Sequence, residues 1–132
     1  MASSAGTHEP YDKLSPETLD THRALASLME ELEAIDWYRQ RIDVCGDDQL
    51  KAILEHNMNE EIEHASMVLE WLRRRLPKMN ESLKTYLFTQ GEITKLEEAV
   101  TAQEGQGQEG RTNCRPRGTS LGIGSLKGVT HE

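Results

Sequence analysis

The chain has 132 residues, of which 36% are hydrophobic and 5% are aromatic, so its apolar core is small for an independent monomer. A domain of this size gains stability from self-association or from a bound metal. Its 23 acidic and 15 basic residues give a net charge of −8, which repels phosphate backbones and favours a cation over nucleic acid as ligand.

Neither a membrane span nor a secretory signal is evident. No apolar stretch reaches the roughly 18 residues of a transmembrane helix, and the N-terminus lacks the basic and apolar regions of a signal peptide. Cys45 and Cys114 are 69 positions apart, so the sequence predicts neither a disulfide framework nor a zinc knuckle. We expect a cytosolic protein.

The first predicted element is a flexible leader, residues 1–14, which has no hydrophobic period. Ser15, followed by Pro16 and Glu17, is typical of a helix N-terminus. A first helix is predicted from Pro16 to about Val44, since neither glycine nor proline interrupts this run. Its apolar face consists of Ala24, Leu28, Ile35, Tyr38 and Ile42.

The segment from Cys45 to Asp48, with its glycine and two aspartates, predicts a sharp turn and a second helix that begins near Asp48. That helix should end near Leu76, because Pro77 follows, and the two helices should form an antiparallel hairpin. The predicted apolar face of the second helix contains Leu50, Ile53, Leu54, Val68, Trp71 and Leu72.

A short third helix is predicted over residues 83–88, followed by a break at Gly91 and a small final turn at Thr94. The sequence thus predicts a helical domain over residues 15–98, a disordered linker over residues 99–119 and a C-terminal tail over residues 120–132. Residues 1–98 hold 20 acids and 11 bases, so the acidity belongs to the helices.

Three polar residues interrupt the apolar faces. Glu31 lies on the face of the first helix, and Glu61 and His64 form an inward-facing Glu-x-x-His on the second. Glu31 and Glu61 each lie 15 positions from Gly46, which is about 22 Å along either helix. Glu31 and Glu61 should therefore meet at one height, and His64 shares the face of Glu61 one turn further on.

Buried carboxylates must be paired, protonated or bound to a metal. Neither apolar face carries Lys or Arg, and two carboxylates with one imidazole are a donor set typical of iron or manganese. In carboxylate-bridged di-iron bundles the full set is two Glu and two Glu-x-x-His. One chain supplies half of it, so the sequence predicts a two-fold dimer whose four helices enclose two irons.

Nearby residues admit two interpretations. Glu30 and Glu33 point away from the apolar face and form either a solvated charge run or an access route for metal. Tyr38 is either a core residue or the donor of a hydrogen bond to a ligand carboxylate. His56 is interpreted as a polar-face histidine. The methionines are interpreted as gap fillers rather than metal ligands: Met29, Met58 and Met67.

Three segments of the helical domain carry a family resemblance. They are SLMEELEAIDWY (27–38), HNMNEEIEHASMVLEWLRR (56–74) and TYLF (85–88). They resemble the encapsulated ferritins, ferritin-like ferroxidases housed inside encapsulin shells. The tail segment SLGIGSLKG (120–128) is similar to the peptide by which such cargo docks onto the shell wall. The resemblance covers residues 7–98 and the tail.

The resemblance implies an all-α fold in which hairpins pair into ferritin-like four-helix bundles and five dimers form an annular decamer. It implies di-iron ligands at Glu31, Glu61 and His64, with two irons per dimer interface. It implies a secondary cation site, for calcium or another divalent cation, at Glu30 and Glu33. The aromatic residues beside these sites match Trp37 and Tyr38.

From this resemblance we expect a ferroxidase that works in the cytoplasm inside an encapsulin nanocompartment, with dioxygen as the oxidant and with neither nucleic acid nor membrane as partner. The docking peptide is predicted to consist of Leu121, Gly122, Ile123, Gly124, Ser125 and Leu126. Two alternatives remain open at this stage. One is a non-catalytic scaffold assembled by zinc or manganese, and the other is a helical adaptor whose acids are solvated.

Overall fold

The structure, a computed structural model, describes residues 6–109 and the side chains of residues 6–105. Over this range it contains helices and no strand, so the prediction of an all-α chain is confirmed for these residues. The elements are a 3-10 turn (Tyr11–Lys13), α1 (Pro16–Val44), α2 (Asp48–Arg75), α3 (Pro77–Tyr86) and α4 (Ile93–Glu109).

α1 begins where its capping residues predict. The Ser15 side chain accepts a hydrogen bond from the Thr18 amide at 3.1 Å, and Pro16 occupies the first turn. The predicted flexible leader is partly ordered here: its residues Tyr11–Lys13 form the 3-10 turn, and the Tyr11 hydroxyl accepts from Arg23 at 3.4 Å. The leader has no hydrophobic period, yet it forms a local contact with α1 through Tyr11 and Arg23.

The predicted turn and antiparallel pairing of α1 and α2 are confirmed. Asp47 caps α2 by accepting a hydrogen bond from the Leu50 amide at 2.7 Å. Cys45 is the C-terminal cap of α1 in an extended conformation, and the described glycines, Gly46 included, have no positive φ. The turn thus uses the aspartate cap and does not need a left-handed glycine.

The core between α1 and α2 is narrow. Its buried residues are Ile42, Ala65 and Leu72. The other residues of the predicted apolar face of α1 are partly buried. On α2 the prediction was wrong for Leu50 and Ile53, which are 49% and 52% exposed. One neighbouring helix covers only part of the circumference of α2, so these side chains project beyond the contact.

α3 begins earlier than the sequence predicted, at Pro77, because a proline fits the first turn of a helix while it ends the preceding one. Arg73 of α2 donates both to Glu70, at 2.6 Å, and to Asn80 of α3. α3 ends at Tyr86, two residues before the predicted boundary. Phe88 has a φ of 60° and a fully exposed side chain.

The chain divides into two compact units at Thr89 and Gln90. The first contains α1, α2 and α3, and the second contains α4. The predicted small turn at Thr94 was wrong: α4 has 17 residues and includes residues 99–109, which the sequence assigned to the linker. Ala99, Val100 and Ala102 are compatible with a helix, and the glycines in this segment do not end α4. Residues 110–132, with Cys114 and the docking peptide, lie outside the described residues.

No helix within the described range is both long and apolar enough to cross a membrane.

Candidate metal centre

Glu31, Glu61 and His64 lie midway along the hairpin, where α1 faces α2. Ser15 and Asp47 set where the two helices begin, and the constant rise of a helix then brings residues equidistant from the turn to one height. The side chains of Glu31 and Glu61 are 26% and 24% exposed, and that of His64 is 48% exposed. Both carboxyl groups are therefore sheltered between the helices, and the imidazole is at the rim.

The three side chains converge on one point. Each offers a ligand atom within 4.8 Å of the others, and among the side chains described this is the one such cluster of three or more histidine, cysteine or acidic residues. The Nδ1 atom of His64 is 3.3 Å from Glu61 Oε2 and 3.9 Å from Glu31 Oε2. The meeting of these groups, predicted from spacing, is thus present in the fold.

A hydrogen bond between the two carboxyl groups raises the pKa of Glu31, and partial burial and the Glu61 charge raise it further. The same hydrogen bond lowers the pKa of Glu61, as does His64. The two shifts have opposite directions, so Glu31 is the carboxyl group of the pair that binds a proton more readily. A divalent cation bound between the two carboxylates would favour the ionised form of both groups.

The surroundings of the cluster are anionic. Residues 24–38 and 52–72 contain nine acids and neither Lys nor Arg. No basic side chain in these stretches can therefore neutralise the carboxylates, so the local field attracts cations. The donor set, two carboxylates and one imidazole, suits iron or manganese and does not resemble a thiolate zinc site.

The other predicted site residues differ in their exposure. Glu30 is exposed, and its charge contributes to the raised pKa of Glu31, whereas Glu33 is exposed and farther around the helix. Trp37 is 46% exposed. Tyr38 is partly buried, and its ring lies under the Arg41 guanidinium at 5.4 Å. The proposed hydrogen bond from Tyr38 to a ligand carboxylate stays a prediction.

Two features of the hairpin were not predicted, although their spacing was visible in the sequence. Arg41 follows Tyr38 by three positions, the distance at which helical side chains meet. Ala65, 6% exposed, lies one turn beyond Glu61 and is one of the buried residues of the core. The predicted polar-face position of His56 is confirmed, since it is exposed and pairs with Glu60 at 3.2 Å.

Comparisons with known proteins agree along most of the chain. The profile of the EncFtn-like family matches residues 6–90. An encapsulated ferritin-like protein of Rhodospirillum rubrum is 57% identical over 127 residues, which cover 96% of this chain and 91% of that protein. A ferritin-like protein of Thermotoga maritima is 53% identical over 94 residues, covering 71% of this chain and 82% of that protein.

Two further relatives extend the comparison. An encapsulin nanocompartment cargo protein of Myxococcus xanthus is 35% identical over 100 residues, which cover 69% of this chain and 77% of that protein. A Nitrosomonas europaea protein with a known crystal structure is 57% identical in sequence to this chain. Its structure matches this one with a TM-score of 0.65, and the match covers 67% of this chain and 97% of that chain.

Proposed function

The chain belongs to the EncFtn-like family, and we propose that it is a ferroxidase, which oxidises Fe(II) to Fe(III) at a di-iron site formed between two copies. The observation that carries this proposal is the convergence of Glu31, Glu61 and His64 within 4.8 Å. Two carboxylates and an imidazole on facing helices are the half-set of a carboxylate-bridged di-iron bundle.

A second copy is needed because three side chains are too few to surround two irons. His64 supports this, since its side chain is 48% exposed at the rim of the cluster and can face an equivalent rim. A two-fold axis beside it would bring a second Glu31, Glu61 and His64 to the same point. The exposed apolar residues on this flank of the hairpin, Trp37 and Ile53, would be buried by the same contact.

The opposite flank of the hairpin also exposes apolar side chains, at Leu25, Leu32 and Ile62, which are 39%, 53% and 43% exposed. Helical periodicity places these residues away from His64. Two separate apolar flanks permit two different contacts between copies, and such pairs of contacts can close a ring. We therefore extend the proposal to the annular decamer that the family resemblance implies.

Iron is the substrate in this proposal. Glu31 and Glu61 would bind and bridge two Fe(II) ions, and one His64 would bind each ion. Carboxylate oxygens are hard, anionic ligands, so they stabilise Fe(III) relative to Fe(II) and favour oxidation. Dioxygen is the proposed electron acceptor. Glu30 and Glu33, both exposed, would hold a secondary cation, such as calcium, on the approach to the centre, beside Trp37 and Tyr38.

We propose that the chain works inside an encapsulin shell in the cytoplasm and delivers Fe(III) there for mineral storage. The names of the R. rubrum and M. xanthus relatives support this, since they describe an encapsulated protein and a nanocompartment cargo. The docking segment would be residues 121–126, whose three aliphatic side chains alternate with glycine or serine. An extended peptide of this kind can lie in a groove and form backbone hydrogen bonds.

The test is anaerobic loading with Fe(II) followed by rapid mixing with air-saturated buffer, with Fe(III) followed by absorbance. We expect oxidation faster than in buffer, and a loss of more than about tenfold in Glu31→Gln and His64→Ala. The matched controls are Glu60→Gln and His56→Ala, an exposed acid and histidine on the same helix. Tight binding of metal without faster oxidation would instead indicate a scaffold held together by metal.

A further inference from the structure

A second group of metal-ligating side chains lies on the outer side of α1. His22 precedes Glu31 by nine residues, which is about two and a half helical turns, so it lies on the side of α1 opposite the candidate metal centre. His22 is nevertheless partly buried, whereas His8 and Glu9 are exposed. The leader accounts for this burial, because His8 and Glu9 line with His22 one cavity of about 260 Å³.

The leader is attached beside this cavity. A 3-10 turn orders it just before α1 begins. The Tyr11 hydroxyl accepts a hydrogen bond from Arg23, the residue next to His22, at 3.4 Å. His8 precedes Tyr11 by three residues. The contact that anchors the leader on α1 therefore lies close in the chain to both histidines and brings them to one cavity.

The cavity offers a donor set that suits a divalent transition-metal ion. Two imidazoles and one carboxylate, completed by water, are ligands typical of zinc and of non-haem iron(II). Within the described part of the chain, His8, Glu9 and His22 form no hydrogen bond or ion pair, so their ligand atoms are not engaged elsewhere. The described residues that line the cavity include neither Lys nor Arg, so no side-chain cation competes for Glu9.

We propose that His8, Glu9 and His22 form a second metal site, which binds a divalent transition-metal ion such as zinc and joins the leader to α1. All three ligands belong to one chain, so the site needs neither a second copy nor the apolar flanks of the hairpin. The inference goes beyond the proposed ferroxidase function and does not depend on it.

Metal binding at this site is coupled to a movement of the leader. In the metal-free chain the ligand atoms of His8, Glu9 and His22 do not meet within 4.8 Å, as those of the candidate metal centre do. Because hydrogen bonds do not hold these side chains, rotation can bring them together around an ion. The ion then adds bonds between the leader and α1 to the single hydrogen bond of Tyr11, so it stabilises the ordered leader.

The test measures amide hydrogen exchange of the full-length protein by mass spectrometry, with and without zinc. We expect zinc to slow exchange in residues 6–14 severalfold, because the ion binds the ordered leader and not the open one. His8→Gln and His22→Gln each remove one ligand and should abolish this protection. His56→Gln is the matched control, since it changes an exposed histidine that pairs with Glu60, and it should keep the protection.

Zinc also has ligands at the candidate metal centre, so the same comparison is made in a Glu31→Gln, His64→Ala double variant. The leader should still be protected there, and calorimetric titration should still find a zinc site. Adding His22→Gln should lower that affinity by more than about tenfold, as loss of a supporting group already does at metal sites.

Three results would overturn the second site: no protection of the leader by zinc in the wild type, protection that persists in both His8→Gln and His22→Gln, or protection that disappears in the double variant. The ferroxidase proposal is tested separately, because His22→Gln should keep the rate of Fe(II) oxidation. Slow Fe(II) oxidation by the wild type, with the leader protected by zinc, would overturn the ferroxidase proposal and support this site.

Discussion

Glu31 and Glu61 face each other at one height of the hairpin and share a hydrogen bond that raises the pKa of Glu31 and lowers the pKa of Glu61. Two carboxylates at one height repel each other when both are ionised, so the pair favours binding of a proton or of a cation. The same arrangement leaves His64 Nδ1 within 3.3 Å of Glu61. The three side chains are thus positioned to bind one cation together.

The first prediction separates the hydrogen bond between Glu31 and Glu61 from metal binding. In Glu31→Gln, the amide can donate to Glu61 permanently, so we expect the helical content and the unfolding midpoint of the metal-free protein to change little. The variant lacks the anionic oxygen, so its affinity for Mn(II) or anaerobic Fe(II) should fall more than about tenfold. Calorimetric titration measures the affinity, and circular dichroism measures the fold.

If two copies share the centre, metal binding and pairing are linked. Native mass spectrometry of the wild type should therefore show that metal increases the fraction of dimer or larger assemblies, and this increase should be lost in Glu31→Gln. His56→Ala, which removes an exposed histidine that pairs with Glu60, should behave as the wild type. Unchanged metal affinity in Glu31→Gln would contradict the assignment of this residue as a ligand.

The second prediction concerns the core. Leu72 is 0% exposed and is the largest fully buried side chain of the described residues. Leu72→Ala should lower the free energy of unfolding by about 2–5 kcal/mol, through the lost burial and the cavity left behind. Val44→Ala, at a position 83% exposed, should change it by less than about 0.5 kcal/mol.

Urea denaturation checks both variants, at one fixed protein concentration because association adds to the stability. Similar losses in Leu72→Ala and Val44→Ala would mean that contacts between copies, and not the contact of α1 with α2, determine the stability of the hairpin.

The third prediction is a pH dependence at the end of α2. Arg73 and Arg74 both donate to Glu70, at 2.6 and 2.9 Å, and these hydrogen bonds lower the pKa of Glu70 from its ordinary value of 4.5 to about 2. The pKa is lower in the folded state, so ionised Glu70 stabilises the fold above pH 4.5, and this contribution is lost as the pH falls toward 2.

Glu70→Gln should therefore lower the thermal unfolding midpoint at pH 7, and the difference from the wild type should shrink steadily below pH 4.5 and vanish near pH 2. Calorimetric melts across this range measure it. Glu63→Gln, on the exposed side of the same helix, is the control and should show a small difference at every pH. A constant difference for Glu70→Gln would show that its ion pairs contribute nothing.

The hairpin and the meeting of its polar residues could be predicted because local chemistry determines them. Ser15 and Asp47 begin the helices through side-chain hydrogen bonds to backbone amides, and these residues are recognisable in a sequence. Once the turn is placed, a rise of about 1.5 Å per residue determines which residues share a height. Glu31 and Glu61 follow from counting alone.

Other features depend on what surrounds a residue, and the sequence pattern does not contain that information. Leu50 and Ile53 have the spacing of a buried face, but only one helix is present to cover them. The length of α4 depended on alanine and glutamine competing with glycine, a balance of about 1 kcal/mol per residue. The direction of the pKa shift at Glu31 likewise depends on the distances between atoms, which the three-residue and fifteen-residue spacings do not supply.

The last prediction concerns the C-terminal tail, residues 120–132, and it rests on the sequence alone. Leu121, Ile123 and Leu126 are separated by glycine and serine, so an extended backbone could present them to a groove on the shell. Removing residues 120–132 should leave Fe(II) oxidation unchanged, because the proposed ligands are all on α1 and α2. It should abolish co-purification with an encapsulin shell.

Changing the three aliphatic residues together to serine should have the same effect as the truncation, because it removes the apolar contacts and keeps the length of the peptide. Lys127→Ala is the matched control within the tail and should keep the cargo inside the shell. Co-expression of each variant with the shell, followed by size-exclusion chromatography and quantification of cargo per shell, measures the outcome. Retention of the triple variant would mean that another part of the chain carries the docking contact, and the exposed apolar flanks of the hairpin would be the next surfaces to test.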